Sequence, residues 1–390
     1  MPASLLALSA ALAAAEPASM PVLPEGLILD VRLRYEQVDQ DGFAREADAL
    51  TLRTRLGFET PRRNGLSLLI EAENTLHLAG DFADTVDPAP GFPVIADPEI
   101  TELNRLQISY ENAQKAGLTL GRQYLVLDDQ RFVGPVGFRQ NSQTFDAIDL
   151  TSGSALPVRL RYAYIDTVHR LFGDDHPLGE FDSDSHLAEA AIDTPLGEAA
   201  LFALVLEFDN APGLSSQTWG ARLAGAREAL SWRVEFARQS EHAGNPAGFD
   251  VDYVRAEADY AFESVRLGAG IQILGGDGAN AFQTPLATLH KFQGAADAFL
   301  TTPAEGLRDL HLHASVTLPD ALPRPLSLRA AVHDFASDDG DLDFGSELDL
   351  SAGLALTDRI DLEAKAALFD GGPSGPADRT KLWLTLSYTY

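Results

Sequence analysis

The sequence contains no cysteine among its 390 residues. Disulfide staples and thiolate metal sites are therefore excluded. Basic residues are also scarce. The chain has 29 Lys and Arg but 58 Asp and Glu, which gives a formal net charge of -29. This acidic balance argues against nucleic acid as a partner, since phosphate backbones bind to basic surfaces.

Long apolar runs are missing as well. A transmembrane helix needs roughly 18 consecutive apolar residues, whereas the longest such stretch, "LLALSAALAAA", covers only residues 5–15. A short apolar run that ends in small residues near the start of a chain is typical of a secretory signal peptide, although no Lys or Arg precedes this one. We therefore expect a signal peptide at 1–15 and a single mature domain at 16–390. The alternative is an Ala-rich disordered N-terminus.

Alternating apolar and polar residues recur along the whole chain. Five clear examples are "LILDVRLRY" (27–35), "LTLRTRLGF" (50–58), "VRLRYAY" (158–164), "LSWRVEF" (230–236) and "LWLTLSYTY" (382–390). A period of two is that of a β-strand with one apolar and one polar face. About 18 such segments, each roughly 10 to 13 residues long, run from 26–38 to 379–390, and this length suits tilted strands that cross a membrane.

The connections between these segments alternate in length. Short ones are at 61–65, 112–116, 195–197, 225–228 and 357–359, and long ones are at 79–100, 128–142, 167–183 and 275–306. Outer-membrane barrels have short periplasmic turns and long extracellular loops. The sequence therefore predicts an all-β fold, a transmembrane antiparallel β-barrel of about 18 strands whose last strand closes against the first. We expect it in the outer membrane of a Gram-negative bacterium, in contact with lipid, lipopolysaccharide and, during biogenesis, the barrel-assembly machinery.

Two longer stretches carry a family resemblance. "GRQYLVLDDQRFVGPVGFRQNSQTFDAIDL" (121–150) and "AFQTPLATLHKFQGAADAFLTTPAEGLRDLHL" (281–312) resemble the alginate-export family of outer-membrane porins. Ala295 stands where that family has Trp after "FQG". The resemblance implies an 18-stranded barrel that conducts an anionic polysaccharide or another small charged solute.

Candidate pore residues follow from the charge of such a solute. Arginine suits the binding of carboxylates because its planar fork binds them bidentately and stays charged. Strand parity predicts that these arginines face the lumen: Arg32, Arg34, Arg53, Arg55, Arg105, Arg159 and Arg161. In the loop 128–142, the side chains expected to reach inward and narrow the pore are Arg131, Arg139, Gln140 and Asn141.

Arg122 belongs to the same family-like stretch, and we include it among the candidates. In a regular strand, Arg122 nevertheless lies on the same face as Leu118 and Leu120, and its side chain then points at lipid. A bulge at Gly121 would reset the register and turn Arg122 to the other face. For any of these arginines, the alternative role is to solvate the pore or to pair with a lumen carboxylate.

Two further groups could hold a metal ion. Asp338, Asp339, Asp341 and Asp343 lie on a predicted outer loop, and hard oxygen ligands suit calcium, although a solvated acidic turn is the alternative. His311 and His313 share one strand face, but no third ligand stands near them in the sequence, which favours a wetted pair in the pore.

The sequence has no nucleophile elbow with a Ser-His-Asp set, no phosphate loop and no dinucleotide fingerprint. We therefore expect no enzyme activity and no cofactor other than the candidate calcium. The favoured function is a porin for anionic saccharides or oligosaccharides, and the alternative is a general porin for other small charged solutes. A barrel lipase is the third class, with Ser185 and His186 as its only crude candidates.

Overall fold

The computed structural model describes residues 24–154, 156–319, 322 and 324–390, so the predicted signal peptide at 1–15 lies outside the described residues. Eighteen strands run through this part of the chain. They are β1 Leu27–Gln40, β2 Ala47–Glu59, β3 Leu66–Asp81, β4 Ile100–Glu111, β5 Gly117–Gln123, β6 Thr144–Thr151, β7 Arg159–His169, β8 Glu180–Thr194, β9 Gly197–Leu206, β10 Ser216–Arg227, β11 Leu230–Glu241, β12 Asp250–Phe262, β13 Val265–Leu274, β14 Leu307–Leu318, β15 Leu326–Ala336, β16 Asp343–Ala355, β17 Ile360–Gly371 and β18 Arg379–Thr389.

Each strand pairs with its neighbours in chain order, and β18 pairs antiparallel with β1. The closing register places Leu386 opposite Leu33 and Tyr388 opposite Val31. The prediction of a closed antiparallel barrel of about 18 strands is thus confirmed. A barrel of this strand number is too wide for wall side chains alone to fill its interior.

The two faces of the wall differ in polarity in the sense that the sequence predicts. On β18, Leu382 and Leu384 are exposed on the outside, whereas Lys381, Trp383 and Thr385 are buried on the inside. The exposed face of this barrel is therefore its apolar face, which is the reverse of the arrangement in a barrel surrounded by water.

The connections at the rim where β1 begins are two to seven residues long, whereas those at the other rim are six to 32 residues long and include all the long ones. The turns are 60–65, 112–116, 152–158, 195–196, 228–229, 263–264, 319–325 and 356–359; the opposite rim carries 41–46, 82–99, 124–143, 170–179, 207–215, 242–249, 275–306, 337–342 and 372–378. The predicted alternation of short and long connections is confirmed. Among the described residues, no helix has the length and apolar character needed to cross a bilayer.

The sequence predicts one of its strands at 117–127, but β5 ends earlier, at Gln123. The reason is that Leu125 and Leu127 are buried in an apolar core inside the barrel and do not continue the wall. They begin a segment that folds into the lumen, which we call the first inward loop (residues 124–143). The second inward loop (residues 275–306) contributes Phe282 and Leu286 to the same core.

Candidate functional site

The two inward loops join each other inside the barrel. Val133 and Leu286 form an isolated parallel bridge. The Gly134 N–H donates to the Leu286 carbonyl at 2.9 Å, and the Thr288 N–H donates to the Gln130 carbonyl at 3.1 Å. Together the loops form one body across the lumen, which we call the constriction.

Arginines of the barrel wall hold the first inward loop on one side. The guanidinium of Arg32 donates to the carbonyl oxygens of Gly137, Phe138 and Arg139 at 3.0 to 3.2 Å. Arg34 donates to the Phe138 carbonyl at 2.6 Å and lies over the Phe138 ring at 4.4 Å from its centroid. These two side chains were predicted to face the lumen, and there they bind loop backbone.

Two amide side chains of the loop complete this attachment. Gln140 donates through Nε2 to Thr51 Oγ1 at 2.8 Å, and its backbone N–H donates to Asp97 at 2.7 Å. Asn141 accepts a hydrogen bond from Thr75 Oγ1 at 2.6 Å and donates to the Pro98 carbonyl at 3.0 Å. Both amides are fully buried, so they position the loop and are not free to bind a passing solute.

Arg139 is the centre of a buried ion network. Its guanidinium lies 3.1 Å from Glu36, 3.8 Å from Asp97 and 2.9 Å from Asp297. Burial opposes its charge, but the carboxylates of Glu36, Asp97 and Asp297 outweigh burial and raise the pKa of Arg139. Asp297 belongs to the second inward loop and Glu36 to β1, so this network ties both loops to the wall.

His290 links the same network to another part of the wall. Its Nδ1 lies 2.7 Å from Asp297 Oδ1, and its Nε2 lies 2.7 Å from the amine of Lys365 on β17. Burial lowers the pKa of His290 to about 3. The ring is therefore neutral at ordinary pH, with Nδ1–H donating to Asp297 and Nε2 accepting from Lys365.

Arg131 is buried without a hydrogen-bond partner for its guanidinium nitrogens among the described residues. It lies over the rings of Phe292, at 4.9 Å from the centroid, and Tyr253, at 5.4 Å. Attraction between a cation and aromatic faces is the interaction that holds it there. The neighbouring Asp129 binds Arg255 of β12 at 2.5 Å, which anchors the first inward loop on its far side.

The other arginines predicted by parity face the lumen and pair with carboxylates. Arg105 binds Glu71 bidentately at 2.7 and 2.9 Å, and Arg161 binds Asp149 bidentately at 2.9 Å. The remaining pairs are Arg53 with Asp30, Arg55 with Glu73, and Arg159 with Asp193 and Glu198. For these residues, the geometry matches the alternative role of pairing with lumen carboxylates.

Arg122 does not face the lumen. The pairing of β5 with β4 and β6 runs without a register shift at Gly121, so Arg122 shares its side with the exposed Leu120. Its guanidinium binds Asp146 bidentately at 3.0 and 3.1 Å on that outer side. The inclusion of Arg122 among the pore residues is therefore corrected.

The four aspartates of the candidate calcium loop do not converge. Asp338 accepts from the Gly276 N–H, Asp339 from Ser337 and the Asp341 N–H, and Asp343 from the Gly345 N–H. No three of them form a group with ligand atoms within 4.8 Å in the described part of the chain. Asp339 and Asp343 bind groups of their own loop and Asp338 binds the second inward loop, so these carboxylates do not surround a common point.

The serine and histidine considered for a lipase are not paired either. Ser185 is fully buried on the inner side of β8 and donates to the Glu207 carbonyl, whereas His186 binds Tyr162 on the outer side at 2.8 Å. Successive residues of a strand point to opposite faces, which separates the two side chains.

Beside the constriction, the lumen holds a cavity of about 460 Å³. Its charged wall consists of Arg255, Lys291, Arg329, Lys365, Asp129, Glu257, Asp309, Asp349 and Glu363, with His290, His311, His313 and His333. Arg329 on β15 is exposed and forms no hydrogen bond or ion pair with the residues that the structure describes. It is thus a cation available to a solute in this cavity.

The second inward loop was the part of the site that sequence reasoning missed. His290 and Asp297 lie in the family-like stretch 281–312, but no spacing there indicates that they meet Lys365 and Arg139. Strand parity does place Arg329 on the lumen side, and the structure confirms that side through the cavity that it lines.

Known structures resemble this barrel over nearly its whole length. Pseudomonas aeruginosa OccK9 (OpdG) shares 15% sequence identity at a TM-score of 0.71, covering 94% of this chain and 98% of that one. Acinetobacter baumannii OccAB4 shares 15% sequence identity at a TM-score of 0.70, and the match covers 93% of this chain and 97% of that one. The P. aeruginosa outer membrane protein OpdK, in a structure with vanillate, shares 14% sequence identity at a TM-score of 0.70. This match covers 93% of this chain and 98% of that one.

At these identities the likeness establishes the fold. No protein-family model matches the chain. No curated protein matches it either. The resemblance to the alginate-export family therefore gains no support from these comparisons, whereas the barrel fold does.

Proposed function

We propose that this protein is an outer-membrane channel for small charged solutes and that it favours anions, carboxylates in particular. The observation that carries the proposal is a closed 18-strand barrel with an apolar outer face and a lumen narrowed by two joined loops. Exposed aromatic side chains near the short-turn rim, Phe58, Tyr110, Tyr260 and Phe262, match the girdle of a barrel in lipid.

The lumen cavity supports the choice of small anions. Its volume of about 460 Å³ lies within the range typical of small-molecule sites. Among the described residues, Arg329 forms no hydrogen bond or ion pair there, and the hydrogen bonds of Lys365 and Lys291 go to neutral groups, namely His290 and the Asp129 carbonyl. Vanillate, present in the OpdK structure, is an aromatic carboxylate of suitable size.

An anionic oligosaccharide, which the alginate-export resemblance implies, is the second candidate. What supports it is the positive charge on β1 and β2: Arg32 and Arg34 bind neutral loop carbonyls and, among the described residues, have no carboxylate within 4.0 Å. The joined loops argue for the smaller solute, since a polymer chain would have to pass the constriction.

Ion selectivity in planar bilayers tests the preference for anions. Under a KCl gradient, we expect the wild-type reversal potential to lie on the anion-selective side and to move toward cations in Arg329→Ala. Arg324→Ala is the matched control, because Arg324 lies in a short turn and pairs with Asp358. A cation-selective wild type, or equal potentials in wild type and Arg329→Ala, would contradict the proposal.

Solute uptake then distinguishes the two candidates. Liposomes that contain the protein should swell faster in an aromatic carboxylate such as vanillate than in a neutral aromatic alcohol of the same size. Faster swelling in short oligouronates than in vanillate would favour the oligosaccharide instead.

A further inference from the structure

Three side chains with metal-binding atoms meet on the lumen wall of β14 and β15. His311 stands directly opposite His333 across the strand pair, and Asp309 lies two residues before His311 on the same face. One ligand atom of each lies within 4.8 Å of the other two. The sequence shows only the pair His311 and His313, because the neighbouring strand supplies the third ligand.

Both imidazoles present the same nitrogen to the carboxylate of Asp309. His333 Nδ1 lies 2.9 Å from Asp309 Oδ1, and His311 Nδ1 lies 3.6 Å from Asp309 Oδ2. In a four-coordinate zinc site with bonds of about 2.0 to 2.1 Å, ligand atoms are roughly 3.3 Å apart. The two imidazoles approach different oxygens of Asp309, and one ligand atom of each residue lies within 4.8 Å of the other two, so side-chain rotations would be needed to bring three atoms around one ion.

Two of these ligand atoms have no hydrogen-bond partner among the described residues. Asp309 is fully buried and its Oδ2 accepts no hydrogen bond, while the buried Nδ1 of His311 likewise has no hydrogen-bond partner. Unsatisfied polar groups of this kind destabilise a buried site. A bound cation would satisfy both atoms at once.

The other nitrogen of each imidazole faces a second carboxylate. His311 Nε2 lies 3.7 Å from Glu257, and His333 Nε2 lies 3.7 Å from Asp349. Histidines that bind a metal through one nitrogen usually turn the other toward a carboxylate or a carbonyl, which orients the ring and fixes its tautomer. The surroundings of this group therefore match those of a metal site.

We propose that Asp309, His311 and His333 bind a divalent transition metal, with Zn²⁺ well suited to two imidazoles and one carboxylate. All three residues line the lumen cavity, so the remaining coordination position faces the solute path. The proposal does not depend on which solute the channel carries.

Calorimetric titration of the detergent-solubilised full-length protein with Zn²⁺, after treatment with a chelator, tests this site. We expect saturable binding of one ion by the wild type, at least tenfold weaker binding by His333→Gln, and no binding at this site by the double variant His311→Gln/His333→Gln. His313→Gln is the matched control, since His313 lies two residues further along the same face with its own partner, Asp259, at 2.7 Å. It should bind as the wild type does.

Co²⁺ gives a second readout that a purely structural role of the histidines would not produce. The wild type and His313→Gln should develop the visible absorption of four-coordinate Co²⁺, and the double variant should not. Heat-modifiable migration on gels verifies that each variant is a folded barrel. A folded wild type without saturable Zn²⁺ binding, or a folded double variant that binds as tightly as the wild type, would overturn the proposal.

Discussion

Arg139 carries its charge into the barrel interior, where its side chain is almost completely buried. Glu36, Asp97 and Asp297 compensate it from three separate parts of the chain. Removal of one partner from a buried ion pair leaves an uncompensated charge and typically costs about 3 to 5 kcal/mol. The residues of the constriction therefore act first as attachments of the loops, and only the cations left over are available to a solute.

Because His290 is neutral in the attached loop, the attachment of that loop to the wall depends on pH. Burial lowers its pKa to about 3 in the attached loop, whereas a released, solvated histidine has a pKa of about 6.5. Between these values the released loop binds more protons, so acidification favours release. We expect larger fluctuations of the single-channel current at pH 4 than at pH 7.

The variant His290→Asn should lose most of this difference between pH 4 and pH 7. His176→Asn is its matched control, because the side chain of His176 contacts Leu178 and Phe172 within its own connection, 170–179. It should keep the pH dependence of the wild type. If His290→Asn and the wild type respond to pH alike, another group controls the fluctuations.

The sequence predicts on which face of the barrel wall most charged side chains lie, but it does not predict which residues they pair with. A period of two places Arg53, Arg105 and Arg161 in the lumen, since parity is a local property of a strand. Their effect depends on Asp30, Glu71 and Asp149, which other strands supply. For the same reason, His311 and His313 look like an isolated pair until β15 brings His333 beside them.

An apolar core inside the barrel holds the two inward loops against several strands of the wall. Phe132 of the first loop packs against Phe202 of β9, Tyr253 of β12 and Phe282 of the second loop, with ring centroids 4.8, 5.7 and 6.2 Å apart. These ring contacts hold both loops against the wall at one place. The backbone hydrogen bonds between the barrel strands do not depend on the rings.

Phe132→Ala should therefore loosen the constriction while the barrel persists. Truncation of a buried Phe typically costs about 3 to 5 kcal/mol, and here we expect the loss to fall on loop attachment. The predicted result is a higher mean conductance and faster proteolysis within 124–143, with unchanged heat-modifiable migration.

Phe43→Ala serves as the control for that variant, because Phe43 is exposed in the turn 41–46. Its conductance should equal that of the wild type. A folded Phe132→Ala barrel with wild-type conductance and protease resistance would show that the core does not position the loops.

Strands were more predictable than loops for a physical reason. Every strand repeats one apolar face, so a window of a few residues is enough to recognise it. The region 117–127 misled because it stays rich in apolar residues up to Leu127, yet Leu125 and Leu127 have the opposite parity to Leu118 and Leu120 and leave the wall for the loop core. The apolar pattern alone does not distinguish lipid from a buried core.

The whole molecule is asymmetric along the barrel axis. The short turns occupy one rim, and the long connections, including both inward loops, arise from the other. This asymmetry predicts a defined orientation, with the long connections outside the cell and the short turns in the periplasm.

Single cysteines test this orientation cleanly, because the chain has no cysteine of its own. In intact cells, a membrane-impermeant maleimide should label Asp175→Cys and Asp341→Cys, which are exposed at the long-connection rim. Ala113→Cys, exposed in the short turn 112–116, should react only after the outer membrane is opened. Labelling of Ala113→Cys alone in intact cells would reverse the predicted orientation.

The bridge between Val133 and Leu286 has a consequence for the order of assembly. The first inward loop follows β5, but its partner emerges only after β13. Contacts between such distant segments form late, because a large part of the chain must be ordered before they can close. While the barrel is being built, its early strands therefore enclose a loop that still lacks its partner, and the passage through the lumen reaches its final width only near the end of assembly.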